Sequence, residues 1–146
     1  MDLHTTRFTG RIARLFEADG FPPIAGRIFG LLLLSEDPRS LDDLARALGV
    51  SKASVSTNAR RLAAEGVLER VPRPGDRRDY YRVTPDLFIR LMTERLSRWK
   101  SFTAAVGEVR RAVPPERAVV RRRLAEYESA YRSISGAIES ALAEAR

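Results

Sequence analysis

The chain has 146 residues, 44% of them hydrophobic and 31% charged, with a formal net charge of +7. That length suits one compact domain or a small domain with a helical extension, and the composition excludes a disordered tail. There is no cysteine and one histidine, His4, which excludes disulfides and thiolate metal sites and leaves a His-based metal centre or catalytic triad without a structured histidine.

Thr5 to Asp19 places Phe8, Ile12, Leu15 and Phe16 near one face of a helix. Gly20 ends it, and Pro22-Pro23 begin a second helix over Ile24–Leu34 that is apolar nearly all round and is expected to be buried. Its run from Ile28 to Leu34 is far too short to span a membrane, and the N-terminus MDLHTTRFTG has no secretory signal pattern. No membrane association and a cytoplasmic location are expected. Ser40 reads as the N-cap of a third helix, with Asp42 and Asp43 in its first turn and Gly49 at its close. Asp43 stands at the acidic position of a capping-box-like arrangement. Ser51 caps a fourth helix that buries Val55, Ala59 and Leu62 and stops at Gly66. Two strand-like runs follow, Val67–Pro72 and Asp79–Val83, joined by Arg73-Pro74-Gly75-Asp76-Arg77-Arg78, a turn rich in positive charge. Thr84 and Pro85 are expected to start a fifth helix, and Pro114-Pro115 to break it. Val120, Leu124, Tyr127, Tyr131, Ile134, Ile138 and Leu142 then form a heptad-like seam on a sixth.

The order helix, tight turn, helix, strand, basic tip, strand is that of a winged helix-turn-helix, which reads DNA by laying its second helix in the major groove. Small or polar side chains are needed where that helix approaches the bases, and Ser51, Lys52, Ala53, Ser54, Ser56 and Thr57 supply them, with Arg60 and Arg61 one turn later. Ser51 to Arg82 holds eight basic residues against four acidic ones, so positive charge concentrates on the elements that would face a polyanion. Only Lys52 and Lys100 of the 26 basic residues are lysines. Arginine forks suit phosphate and guanine, although codon bias gives the same ratio. Arg73, Arg77 and Arg78 are expected to grip the DNA backbone or a narrow minor groove, with Asp76 orienting Arg77.

The strings GRIFGLLLLSEDPRSLDDLARALGVSKASVSTNARRLAAEGVLERV and RPGDRRDYYRVT resemble the MarR superfamily, and more closely its GbsR-like branch. The resemblance is strongest over Gly26 to Val83, and the C-terminal helices depart from it. It implies a mainly α fold with a small β-hairpin wing, a homodimer held by N- and C-terminal helices, and a transcriptional role, expected to be that of a repressor; a twofold dimer with two reading helices is in turn expected to prefer a pseudo-palindromic operator. It also implies that Ser51 to Thr57 read the major groove and that Arg77 reaches the minor groove. The corresponding division is an N-terminal dimerisation helix over 1–20, a DNA-binding domain over 21–84 and a helical dimerisation region over 85–146. The competing reading is a winged-helix adaptor for protein partners.

Nothing points to an enzyme or a cofactor. Asp42 and Asp43 are adjacent, so they diverge on a helix and account for themselves as helix-start charge. Gly26 and Gly30 in an apolar helix point to close packing. Trp99, Phe102, Tyr127 and Tyr131 are either a helix-packing stripe, the favoured reading, or an aromatic box for a small organic effector, suited to a cation.

Overall fold

The computed structural model describes residues 1–145 as helices α1 (Leu3–Ala18), α2 (Pro23–Leu33), α3 (Leu41–Leu48), α4 (Lys52–Ala64), α5 (Leu87–Ala112) and α6 (Ala118–Glu144), with strands β1 (Arg39–Ser40), β2 (Leu68–Arg73) and β3 (Asp76–Val83). They divide into two units, Met1–Leu87 and the residues from Phe88 onward.

In the first unit the core gathers Ala25, Ile28, Leu31 and Leu32 of α2, Leu41, Leu44 and Leu48 of α3, Val55, Ala59 and Leu62 of α4, and Leu68 and Tyr81 of the sheet. The sequence expectation that α2 is buried all round is corrected at its end: Leu33 and Leu34 are about half exposed. The elements that pack on α2, namely α1, α3, α4 and β3, leave its C-terminal end only partly covered. On the side toward α1 the helix backbones touch. A Cβ on Gly26 would lie 2.6 Å from Ala13 Cα and 2.9 Å from the Ile12 carbonyl oxygen, and one on Gly30 would lie 3.3 Å from Thr9 Cα. The residues of α1 that are fully buried are therefore the small Thr9 and Ala13, while Phe8, Ile12 and Phe16 are partly covered and Leu15 is exposed.

Local caps set the helix ends. The Ser40 hydroxyl accepts from the Asp43 N–H and donates to the Asp43 carboxylate at 2.7 Å. That bond is the foremost reason the Asp43 carboxyl is held below the usual carboxylate range. Gly49 takes the left-handed conformation that closes α3, and Ser51 accepts from the Ser54 N–H to start α4. The Arg27 guanidinium donates to the Leu48 carbonyl at 2.9 Å, tying the end of α3 to α2.

The sheet has three strands in the order β1-β3-β2, all antiparallel. The sequence predicts a hairpin alone; β1 adds Arg39 opposite Tyr81 and Ser40 opposite Tyr80. β3 also begins three residues earlier than expected, at Asp76, so the basic tip is itself ladder. Thr84 does not cap α5. Its hydroxyl donates to the Gly66 carbonyl and its N–H to the Val67 carbonyl, closing the base of the hairpin, and α5 starts at Leu87 after a turn in which Asp86 takes a positive φ.

The second unit is an antiparallel pair of long helices. Lys100 pairs with Glu139, Arg110 Nε donates to Glu128 at 2.7 Å, and Arg121 donates to the Val113 carbonyl at 3.0 Å. Arg132 reaches the second Glu128 oxygen, so one nearly buried carboxylate serves two guanidiniums. Of the seam, Leu142 is buried, Val120, Leu124, Tyr131 and Ile138 are partly covered, and Tyr127 and Ile134 are exposed, as are Phe88, Phe102 and Val109 on α5. No helix among the described residues is long and apolar enough to cross a membrane.

Candidate nucleic-acid interface

Helix α4 presents two opposite faces because 3.6 residues complete a turn. Val55, Asn58, Ala59 and Leu62 face the core. Ala53, Thr57 and Arg60 point directly away from that stripe and are exposed, with Ser54 and Ser56 half-buried on its flanks and Ser51 at the cap. Alanine and hydroxyl side chains leave the helix surface low at its start, and Arg60, whose Nε donates to the Ser56 carbonyl, projects one turn later. Asn58 escaped the sequence reading. It is buried and its amide donates to the Ser54 carbonyl at 2.9 Å, a polar side chain satisfied by its own helix.

The basic residues differ in how they are held. Arg61 turns away from the outward face: it donates to the Gly20 carbonyl and lies 4.7 Å from the Phe21 ring centroid, linking α4 to the α1–α2 corner. Lys52 is paired with Asp42 of α3, Nζ to Oδ1 at 2.9 Å. Arg73 lies 4.1 Å over the Tyr80 ring and donates to the Pro38 carbonyl, so it braces the wing against the loop before β1.

The orienting role expected of Asp76 falls on a different arginine. Asp76 accepts from Nε and Nη2 of Arg78 and from its backbone N–H, and from the Tyr80 hydroxyl at 2.8 Å. Its partner is Arg78, not Arg77, because β3 extends to the tip and side chains alternate along a strand: residues 76, 78 and 80 share one face and Arg77 takes the other. The Arg78 guanidinium, then its N–H, then the Tyr80 hydroxyl hold the Asp76 carboxyl far below its ordinary value, and Asp76 in turn holds Arg78 more firmly charged. Arg77 is exposed and its side chain makes no hydrogen bond or ion pair among the described residues.

Lys52 from the start of α4 and Arg77 and Arg78 from the wing tip line one cleft of about 220 Å³, together with Leu41, Asp42 and Asp79. The helix start and the wing tip thus converge, which residue spacing alone does not reveal. The aromatic candidates of the second unit pack on one another. The Trp99 ring meets Tyr131 edge-on at 5.9 Å, Phe102 meets Tyr131 at 4.8 Å, and Tyr127 stays exposed. The large cleft of that unit is lined instead by polar residues, among them Lys100, Arg111, Glu128 and Ser135. Among the described residues no group of His, Asp or Glu is placed to hold a metal ion.

A profile for the MarR family matches residues 19–79. The chain is 34% identical over 143 residues to the HTH-type transcriptional regulator MmpR5 of Mycobacterium tuberculosis (strain ATCC 25618 / H37Rv), covering 92% of this chain and 82% of that protein. It is 31% identical over 78 residues to the HTH-type transcriptional repressor OpcR of Bacillus subtilis (strain 168), covering 53% of this chain and 42% of that protein. A crystal structure described as that of a transcriptional regulator superposes with a TM-score of 0.62 at 32% identity, covering 97% of each chain.

Proposed function

Since the chain belongs to the MarR superfamily of transcriptional regulators, we propose that it is a repressor that binds a pseudo-palindromic operator as a homodimer, with α4 in the major groove and the wing on the adjacent backbone and minor groove. On the residues of Gly26 to Val83 we place it in the GbsR-like branch. The observation that carries the DNA assignment is the convergence of Lys52, Arg77 and Arg78 on one cleft beside the outward Ala53, Thr57 and Arg60 stripe. A reading face and a phosphate grip lie side by side, as a winged helix requires.

In this reading Ser54, Ser56, Thr57 and Arg60 discriminate bases, and Ser51, Lys52 and Ala53 let the helix start approach the groove. Arg77 and Arg78 hold backbone or minor groove, Arg78 pre-oriented by Asp76 and Arg77 free to reach. Arg73 and Arg61 act chiefly by fixing the wing and α4 in place. The dimer rests on residues 1–20 and 85–146: Phe88, Phe102, Val109, Tyr127 and Ile134 leave more apolar surface on a two-helix unit than a lone chain carries comfortably.

The test compares a duplex selected from a random library by the wild-type protein with its scrambled counterpart at several salt concentrations. Arg60→Ala relaxes preference at particular base pairs by about 1–3 kcal/mol and leaves the salt slope nearly unchanged. Arg77→Ala weakens both duplexes and removes about 0.9 from the log–log salt slope, one phosphate's share. Indifference of DNA affinity to both variants replaces this reading with the adaptor.

A further inference from the structure

The cleft between the start of α4 and the wing tip holds two carboxylates, Asp42 and Asp79, among its three cations. Asp79 is taken by Arg70 across the hairpin, and Arg78 by Asp76. The remaining carboxylate, Asp42, faces Lys52 with both oxygens, at 2.9 and 3.1 Å from Nζ. Helix α3 does not depend on that contact, because Ser40 and Asp43 cap it at one end and Gly49 closes it at the other. Both partners stand in water, with side-chain exposures of 58% for Lys52 and 41% for Asp42. An ion pair so placed is held weakly and exchanges readily for another anion. A backbone phosphate offers the same chemistry, two anionic oxygens, and its entry would be assisted by Arg77, whose side chain has no partner to give up among the described residues.

We propose that Asp42 is an internal stand-in for a DNA phosphate: it occupies Lys52 in the free protein and is displaced when a backbone phosphate enters the cleft between Lys52, Arg77 and Arg78. This inference rests on the DNA-binding reading of the same face. After displacement the Asp42 carboxylate stays on the first turn of α3, close to the phosphate that replaced it, and like charges repel. Asp42 therefore trims the part of the affinity that comes from phosphate, which is blind to sequence. Choice between sequences is left to the outward face of α4.

The experiment measures binding of the selected and scrambled duplexes by fluorescence anisotropy for wild type, Asp42→Asn, Lys52→Met and the double variant, with Asp42→Ser as a second removal of the carboxylate. Asp42→Asn and Asp42→Ser are expected to tighten both duplexes about two- to five-fold at low salt, with the gain fading as salt screens the site. In the Lys52→Met background the gain shrinks to the part that comes from repulsion between Asp42 and the bound phosphate, since no cation is left to release. Equal tightening in both backgrounds would mean that only bulk charge matters and would overturn the exchange. No tightening, with wild-type binding intact, overturns it while leaving the DNA reading in place. A wild-type protein that binds neither duplex removes both.

Discussion

Replacing Gly26 with alanine tests the close approach of α2 to α1. In an open helix position the change gains about 1 kcal/mol, because alanine loses less backbone freedom than glycine. Here the new methyl carbon would sit 2.6 Å from Ala13 Cα, 2.9 Å from Ala13 N and 2.9 Å from the Ile12 carbonyl oxygen. All three obstacles are backbone, so no rotamer can relieve them and α1 must move bodily off α2. Overpacking of this kind costs about 1–3 kcal/mol and occasionally more. With rigid obstacles we take the upper end, which leaves a net loss of roughly 2 kcal/mol after the propensity gain. For a chain of this length that lowers Tm by about 4–8 °C. Gly10 on α1 is the control: a Cβ there meets nothing within 4 Å, so Gly10→Ala raises stability by up to about 1 kcal/mol. Gly30→Ala falls between, its contacts of 3.3–3.5 Å roughly cancelling the gain. The assay is thermal and urea unfolding of the three variants at one protein concentration, since association shifts Tm by mass action. Gly26→Ala as stable as Gly10→Ala would refute the claim that helix contact, and not conformational freedom, selects glycine at 26.

Tyr80→Phe removes one of the donors on Asp76 and loosens Arg78, and we expect DNA affinity to fall about three- to ten-fold, the size of one ordinary hydrogen bond because only part of the lost order reaches the DNA contact, with no change in oligomeric state; unaltered affinity counts against the clamp. Because the Asp76 carboxyl is depressed below its ordinary value of 3.8, its contribution to wing order is complete above that value and is lost only as pH falls beneath it; NMR signals of the wing that broaden between pH 6 and pH 5 would contradict this. Ser40→Ala deletes an N-cap that is fully buried and should cost about 1 kcal/mol in urea unfolding. Light scattering at micromolar concentration should return twice the chain mass, and a clean monomer would defeat the proposed dimer.

Much of the fold is legible in the sequence because its causes are local. Ser40, Gly49, Ser51 and Gly66 mark the ends of α3 and α4 through bonds and dihedrals that span only a few residues, and the outward face of α4 follows from where Val55, Ala59 and Leu62 fall on a helix. Pairing between segments decided the rest, and most of those partners lie far apart along the chain. β1 is two residues long and exists only because Tyr80 and Tyr81, some forty positions later, pair with it. Arg61 is turned aside by a carbonyl at Gly20 and Lys52 by a carboxylate on another helix, so residues that look equivalent on a helical wheel end up with different work. Asp76 serves Arg78 instead of its neighbour because the ladder runs to the wing tip and sets the alternation. A helix cap needs only the next turn of chain, whereas the direction of a long charged side chain is set by whichever distant group folding brings within reach of it.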